Sequence, residues 1–171
     1  MSLRITDGIF EKTYDKKLIL IDSDNRNVIT DTTTSEFTIQ LSESLRDVVA
    51  ITPVQVLFNG SFSATNILLD INGYRHTTVD KYDASSLQHV ASVTGFLPLN
   101  VATTGVTFNY QQSLTNLGID PYTYVFDPVE SNLRRFHIRF LQMNGTTFNT
   151  AGSRVTIVLA VYMKREKFSR I

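Results

Sequence analysis

The chain has 171 residues, no cysteine and a formal net charge of zero, with 16 Lys and Arg balancing 16 Asp and Glu. That length suits one domain able to bury about two thirds of the surface its unfolded form exposes, and the missing cysteine excludes disulfides, thiolate metal sites and cysteine catalysis. No run approaches the roughly eighteen apolar residues of a membrane helix, and MSLRITDGIFEK lacks the apolar core of a signal peptide, so no membrane span is expected and the chain should be soluble where it is made.

Residues 1–16 mix charges with isolated apolar groups and read as an extended arm. KLILID follows as a short apolar strand. It runs into LIDSDNRN, whose Asp-Ser-Asp-Asn core looks like the opening of a calcium loop. Counted from Asp22, however, an EF-hand would need an oxygen ligand, a glycine and a glutamate at its fifth, sixth and twelfth places. The chain has Arg26, Asn27 and Thr33 there, so the segment reads as a polar loop leaving a strand. SEFTIQL then alternates Phe37, Ile39 and Leu41 against Glu36, Thr38 and Gln40, the pattern of a half-buried strand.

In DVVAITPVQVLFNG, Val49 and Ile51 share one phase and Val54, Val56 and Phe58 the other. The buried face therefore changes at Pro53, which predicts a bulge or an edge bend. NILLDING ends in an Asn72-Gly73 turn, with YRHTTVD expected to run back as its hairpin partner. YDASSLQHVASV permits one short helix starting near Ser85 or Ser86. GVTFNY and TYVF read as strands. LRRFHIRFLQM puts Phe136, Ile138 and Phe140 inward and Arg135, His137 and Arg139 outward, turns near Asn144-Gly145, and leads into RVTIVLAVY. There Val155, Ile157, Leu159 and Val161 face inward, while Val158 and Ala160 leave the second face apolar too, so this strand should be central or covered on both sides. The spacing predicts an all-β sandwich or barrel of about eight strands with no repeat and no linker.

Catalytic signatures do not emerge. His76, His89 and His137 fit no metal-binding spacing with Asp70, Asp80 or Asp83. Gly60-Ser61-Phe62-Ser63 is not a nucleophile elbow, and no phosphate-binding glycine loop occurs. The carboxylate pairs Asp22/Asp24 and Asp80/Asp83 lie in polar loops, without the burial that poises acid-base chemistry. Asn59-Gly60-Ser61 and Asn144-Gly145-Thr146 read as turns rather than glycosylation sites. No enzyme and no cofactor is expected.

Charge is segregated despite the zero total. From Ser131 onward stand Arg134, Arg135, Arg139, Arg154, Lys164, Arg165, Lys167 and Arg170 against Glu166 alone, whereas Ala84–Asn132 holds no Lys or Arg and carries Asp120, Asp127 and Glu130. The stripe Arg135, His137, Arg139 reads as solvated surface, as a protein interface or as a nucleic-acid contact. A near-neutral pI of about 6.8 and the lack of interleaved aromatics weigh against nucleic acid.

The succession IDSDNRN, SEFTIQL and LRDVVAITPVQVLFN resembles the start of the single jelly-roll penton and minor capsid proteins of large icosahedral double-stranded DNA viruses, and LRRFHIRFLQMNG with its following apolar strand resembles their closing hairpin. The likeness covers Lys17–Asn59 and Leu133–Tyr162. It departs where the family often has Ile-Pro-Asn, since this chain has Leu57-Phe58-Asn59 and its proline at Pro53. The resemblance implies a single jelly-roll domain over 17–163 with an N-terminal arm, 1–16, and a basic C-terminal tail, 164–171. It further implies a non-enzymatic capsid protein, made in the host cytoplasm and resident in the virion, that closes the fivefold vertex as a homopentamer. Its partners would be neighbouring major and minor capsid proteins, with no sequence-specific nucleic acid. Arg135, His137, Arg139, Lys164, Arg165 and Lys167 become candidate interface residues, and Asp22, Asp24 and Arg26 form a structural or interface loop. A minor capsid protein cementing capsomers is the near alternative. A β-sandwich binding module for carbohydrate or a receptor, using Phe62, Tyr74, Tyr82 or Tyr110, and a cupin-type metal enzyme are the readings from other classes.

Overall fold

The structure, a computed structural model, describes residues 14–60, 65–74, 77–83, 88–101, 105–109 and 122–165. Among them are eleven strands: β1 (Tyr14–Asp22), β2 (Glu36–Leu45), β3 (Val48–Asn59), β4 (Thr65–Ile71), β5 (Thr77–Asp83), β6 (Gln88–Gly95), β7 (Leu97–Val101), β8 (Gly105–Asn109), β9 (Tyr124–Glu130), β10 (Leu133–Gln142) and β11 (Arg154–Lys164). A 3-10 turn, Ser23–Asn25, follows β1.

The two-residue period explains which side chains meet. Phe136, Ile138 and Phe140 of β10 and Val155, Ile157, Leu159 and Val161 of β11 are all fully buried, while Arg135 and Arg154 between and beside them are exposed. These rows belong to different sheets. One has the order β1-β11-β3-β8, with β9 also on β3, and the other the order β2-β10-β4-β7. All the pairings are antiparallel. A single apolar core joins the two, with Ile21, Val56 and Ile157 from the first and Phe37, Ile67 and Phe136 from the second. Phe58 and Phe140 meet edge to face across it, ring centroids 5.1 Å apart. At about 1.5–3 kcal/mol for each large side chain buried, this shared interior is the main force holding the sheets face to face. The chain is thus all-β, two antiparallel sheets arranged as a sandwich.

The pairings are nested. β1 takes β11, β2 takes β10, β3 takes β8 and β4 takes β7, so the chain runs like a long ribbon hairpin folded across itself, and β5 and β6 form a separate two-stranded hairpin. Nesting leaves β1 and β2 at one flank, tied by an ion pair of 3.6 Å between Lys17 and Glu43. At the opposite flank β7 and β8 adjoin.

Several expectations change. The register between β3 and β11 skips at Val54, next to Pro53, so the bulge is there, but β3 is an interior strand rather than an edge. A second skip at Val49 was not expected. It puts Val48 and Ile51, not Val49, in the core cluster, and the first skip sends Val54 to the outer face while Val56 and Phe58 point in. Asn72 and Gly73, at φ 51° and 70°, do form a turn. β4 nevertheless pairs with β10 and β7, and the strand after the turn pairs with β6. Residues 88–95, half of the expected helix, are strand β6. Nor do the last two strands form a hairpin, because β10 and β11 lie in opposite sheets. β11 is central, as expected from its two apolar faces. β1 begins at Tyr14, within the segment read as an arm. Residues 1–13, Phe62, His76, Tyr110 and Lys167 lie outside the described residues, as do the side chains of Asp80, Tyr82, Asp83 and His89.

Candidate assembly surfaces

The loop after β1 is pinned from within. Asp22 is buried, accepts a 3.0 Å hydrogen bond from the Asp24 N–H as the cap of the 3-10 turn, and binds the Arg154 guanidinium through both carboxylate oxygens. That charge-assisted bond holds the Asp22 carboxyl below its usual value, overcoming a burial that acts to raise it, and holds Arg154 charged in return. Asp24 joins from 3.3 Å. Arg26 donates to the Ser23 and Asp31 carbonyls, at 2.7 and 3.0 Å, and Asp31 accepts from the Thr38 N–H. The buried hydroxyls of Thr34 and Ser35 meet Thr150 at 2.5 and 3.0 Å and latch this loop to the one between β10 and β11. Asp22, Asp24 and Arg26 therefore spend their charges inside the subunit.

The stripe on β10 divides in the same way. Arg139 grips the buried Asp70 of β4 with two N–H groups at 2.8 and 2.5 Å. His137 Nε2 lies 3.1 Å from Glu36 Oε1 on β2. Arg135 is exposed and, among the described residues, its guanidinium has no partner, while Arg134 gives its Nε hydrogen to Asn132. Arg135 lines an open hollow of about 730 Å³ on the outer face of the second sheet, together with Thr38, Gln40, Asn72, Tyr74 and His137. Asn72 ties this hollow together. Its Oδ1 accepts from the His137 N–H at 2.6 Å, and its Nδ2 donates to the Arg135 carbonyl and to Tyr74 Oη. Tyr74 is not a free platform for a sugar: it stacks on Tyr124 at 4.8 Å and meets Phe126 edge-on, and burial pushes its phenol above the ordinary value.

A second hollow, about 570 Å³, opens where β1, β11 and the β2–β3 turn meet. It collects Lys17, Arg46, Lys164 and Arg165 around Asp15 and Asp47. Arg165 is paired with Asp15 at 2.9 Å and Lys17 with Glu43, which leaves Arg46 and Lys164 outward and without a side-chain partner among the described residues.

Charge patterning did not point to the apolar flank beside it. Leu18 and Leu20 of β1 are 60% and 61% exposed, and Val28 and Ile29 at the tip of the following loop are 62% and 87% exposed. Between β1 and β2 runs a groove of about 350 Å³ lined by Leu18, Ile19, Leu20, Ile39 and Leu41. LILI reads equally as a buried run, and only the position of β1 at a sheet edge turns two of its residues outward.

Among the described residues no three His, Asp or Glu side chains converge as a metal site, and no helix is long and apolar enough to cross a membrane. No protein-family model and no curated protein matches the sequence.

Proposed function

We propose that the chain is a structural protein of an icosahedral virion: a single jelly roll whose five copies close a vertex as a ring. The observation that carries this reading is the nested pairing of β1 with β11, β2 with β10, β3 with β8 and β4 with β7. Eight strands paired in that order across two facing sheets fit the double-sheet jelly roll, an architecture built into viral capsids, lectin domains and cupins. Three further features favour the capsid among these. The chain resembles single jelly-roll capsid proteins over Lys17–Asn59 and Leu133–Tyr162. Its two buried carboxylates, Asp22 and Asp70, are spent on internal ion pairs with Arg154 and Arg139. Its edges differ in kind, the β1–β2 edge apolar and partly basic and the strands β7, β8 and β9 at the other without Lys or Arg, which suits a closed heterologous ring.

The mechanism is assembly rather than chemistry. The chain is non-enzymatic and resides in the virion, with neighbouring major and minor capsid proteins as its partners. Arg134 and Arg135 are the part of the β10 face left to meet a neighbour's carboxylates, because Arg139 and His137 already have partners. Many modest contacts repeated by symmetry then hold the vertex. A cementing protein between capsomers differs only in oligomeric state. Negative-stain images of the purified chain test the reading: class averages with fivefold rings are expected, and particles of subunit size at every concentration would overturn it.

A further inference from the structure

The flank formed by β1 and β2 is unlike the rest of the described surface. Five large hydrophobic residues stand well exposed among the described residues, and four of them, Leu18, Leu20, Val28 and Ile29, belong to β1 or to the loop that follows it. β1 is also a long edge. It pairs with β11 over nine residues without a bulge, and its other side faces no strand among the described residues. Soluble proteins blunt such edges with charges, prolines or bulges; Asp15, Lys16 and Lys17 do so for the first half of β1, whereas the second half is leucine-lined and is a place for another chain to dock. The loop tip is held ready, since Asn27 accepts from the N–H groups of Ile29, Thr30 and Asp31 and Arg26 ties both of its limbs. A preordered apolar tip loses little entropy on binding.

Charge selects the occupant. The groove between β1 and β2 continues into the second hollow, with Lys17 and Leu45 common to both, and there four cations face two carboxylates. The stretch 84–132 has no Lys or Arg and carries three carboxylates, Asp120, Asp127 and Glu130. Its strands β7, β8 and β9 stand on the side of the sandwich away from β1 and β2, and β9 holds both the exposed Asp127 and the fifth exposed hydrophobic, Val125. Each flank therefore offers what the other lacks.

We infer that the β1–β2 flank is the receiving half of a heterologous contact whose inserting half is the β9 side of a second copy of this chain, with leucines against Val125 and Arg46 and Lys164 against the exposed Asp127. This rests on the vertex reading and names its interface. The contact is directional: every subunit keeps one flank of each kind open until a ring closes, so pairs do not satisfy it.

Charge reversal on one flank and then on both tests it. Arg46→Glu with Lys164→Glu puts like charges opposite Asp127. Asp127→Lys does the same from the other side. Each change should raise the midpoint concentration for ring formation, read by native mass spectrometry at low salt, by about tenfold, and a chain carrying all three should return toward the original value. Circular dichroism and thermal midpoints close to those of the original chain keep the readout to assembly, and Leu18→Glu with Leu20→Glu gives an independent loss on the apolar part. Rings whose midpoint ignores both reversals and the leucine change would overturn the flank assignment and leave the vertex reading standing. An original chain that never forms a ring would overturn both.

Discussion

Arg135 and Arg139 stand four residues apart on one face of one strand with the same chemistry and different roles. Arg139 neutralises the buried Asp70, so Arg139→Glu would leave two carboxylates facing each other with one nearly inaccessible to water. The expected cost is about 3 kcal/mol or more, seen as a drop in the denaturant midpoint. Arg134→Glu with Arg135→Glu should leave that midpoint within about 0.5 kcal/mol and weaken self-association instead. The sequence shows three alternating outward residues and nothing of this division, because the partner of Arg139 lies 69 residues away. Asp22 gives a pH-dependent counterpart. Its folded carboxyl sits below 3.8, so its bond to Arg154 adds stability above that pH, and the contribution is lost as pH falls through the lowered value. Asp22→Asn, whose amide oxygen still accepts from the Asp24 N–H, should therefore cost about 1–2 kcal/mol at neutral pH through the lost ion pair with Arg154. The gap between the two thermal midpoints should close on acidification below pH 3.8. A gap that stays constant through that range would remove the ion pair from the loop's stability. The same residue resolves the calcium question, since the oxygens that would hold an ion are occupied by Arg154 and the Asp24 N–H.

At the level of strands, what alternates cleanly was legible and what depends on distant pairing was not. Phe37, Ile138 and the inward row of β11 follow from period two alone, and all are fully buried. Phe37→Ala and Ile138→Ala should each cost about 2–5 kcal/mol in chemical denaturation, because both leave a cavity between the sheets; near-neutral values would contradict the strand phases. Pro53 announced the bulge beside it, since a residue without an N–H must sit where the ladder is broken. The skip at Val49 has no such marker, for valine fits either side of it. The β5–β6 hairpin escaped because the Ala- and Ser-containing stretch has weak local preference and is fixed by its partner instead. The loop latch of Thr34, Ser35 and Thr150 also joins residues more than a hundred positions apart.

For the whole molecule, sheet order converts local strands into two unlike flanks. The pairing of first with last strand places β1 at an edge, and there Leu18 and Leu20 are exposed while Ile19 and Ile21 face the core. Composition foretold the charge asymmetry but not that β7, β8 and β9, strands of the cation-free stretch, stand on the side away from β1. A ring built on these flanks should tighten with protein concentration and loosen with salt in its charged part, while the leucine contact is much less sensitive to salt. The most direct measurement is the native mass of the purified chain by native mass spectrometry over a range of concentration and salt. The vertex reading predicts a discrete species at five times the 19.3 kDa subunit mass. A monomer at every concentration, or an even-numbered assembly, would contradict it.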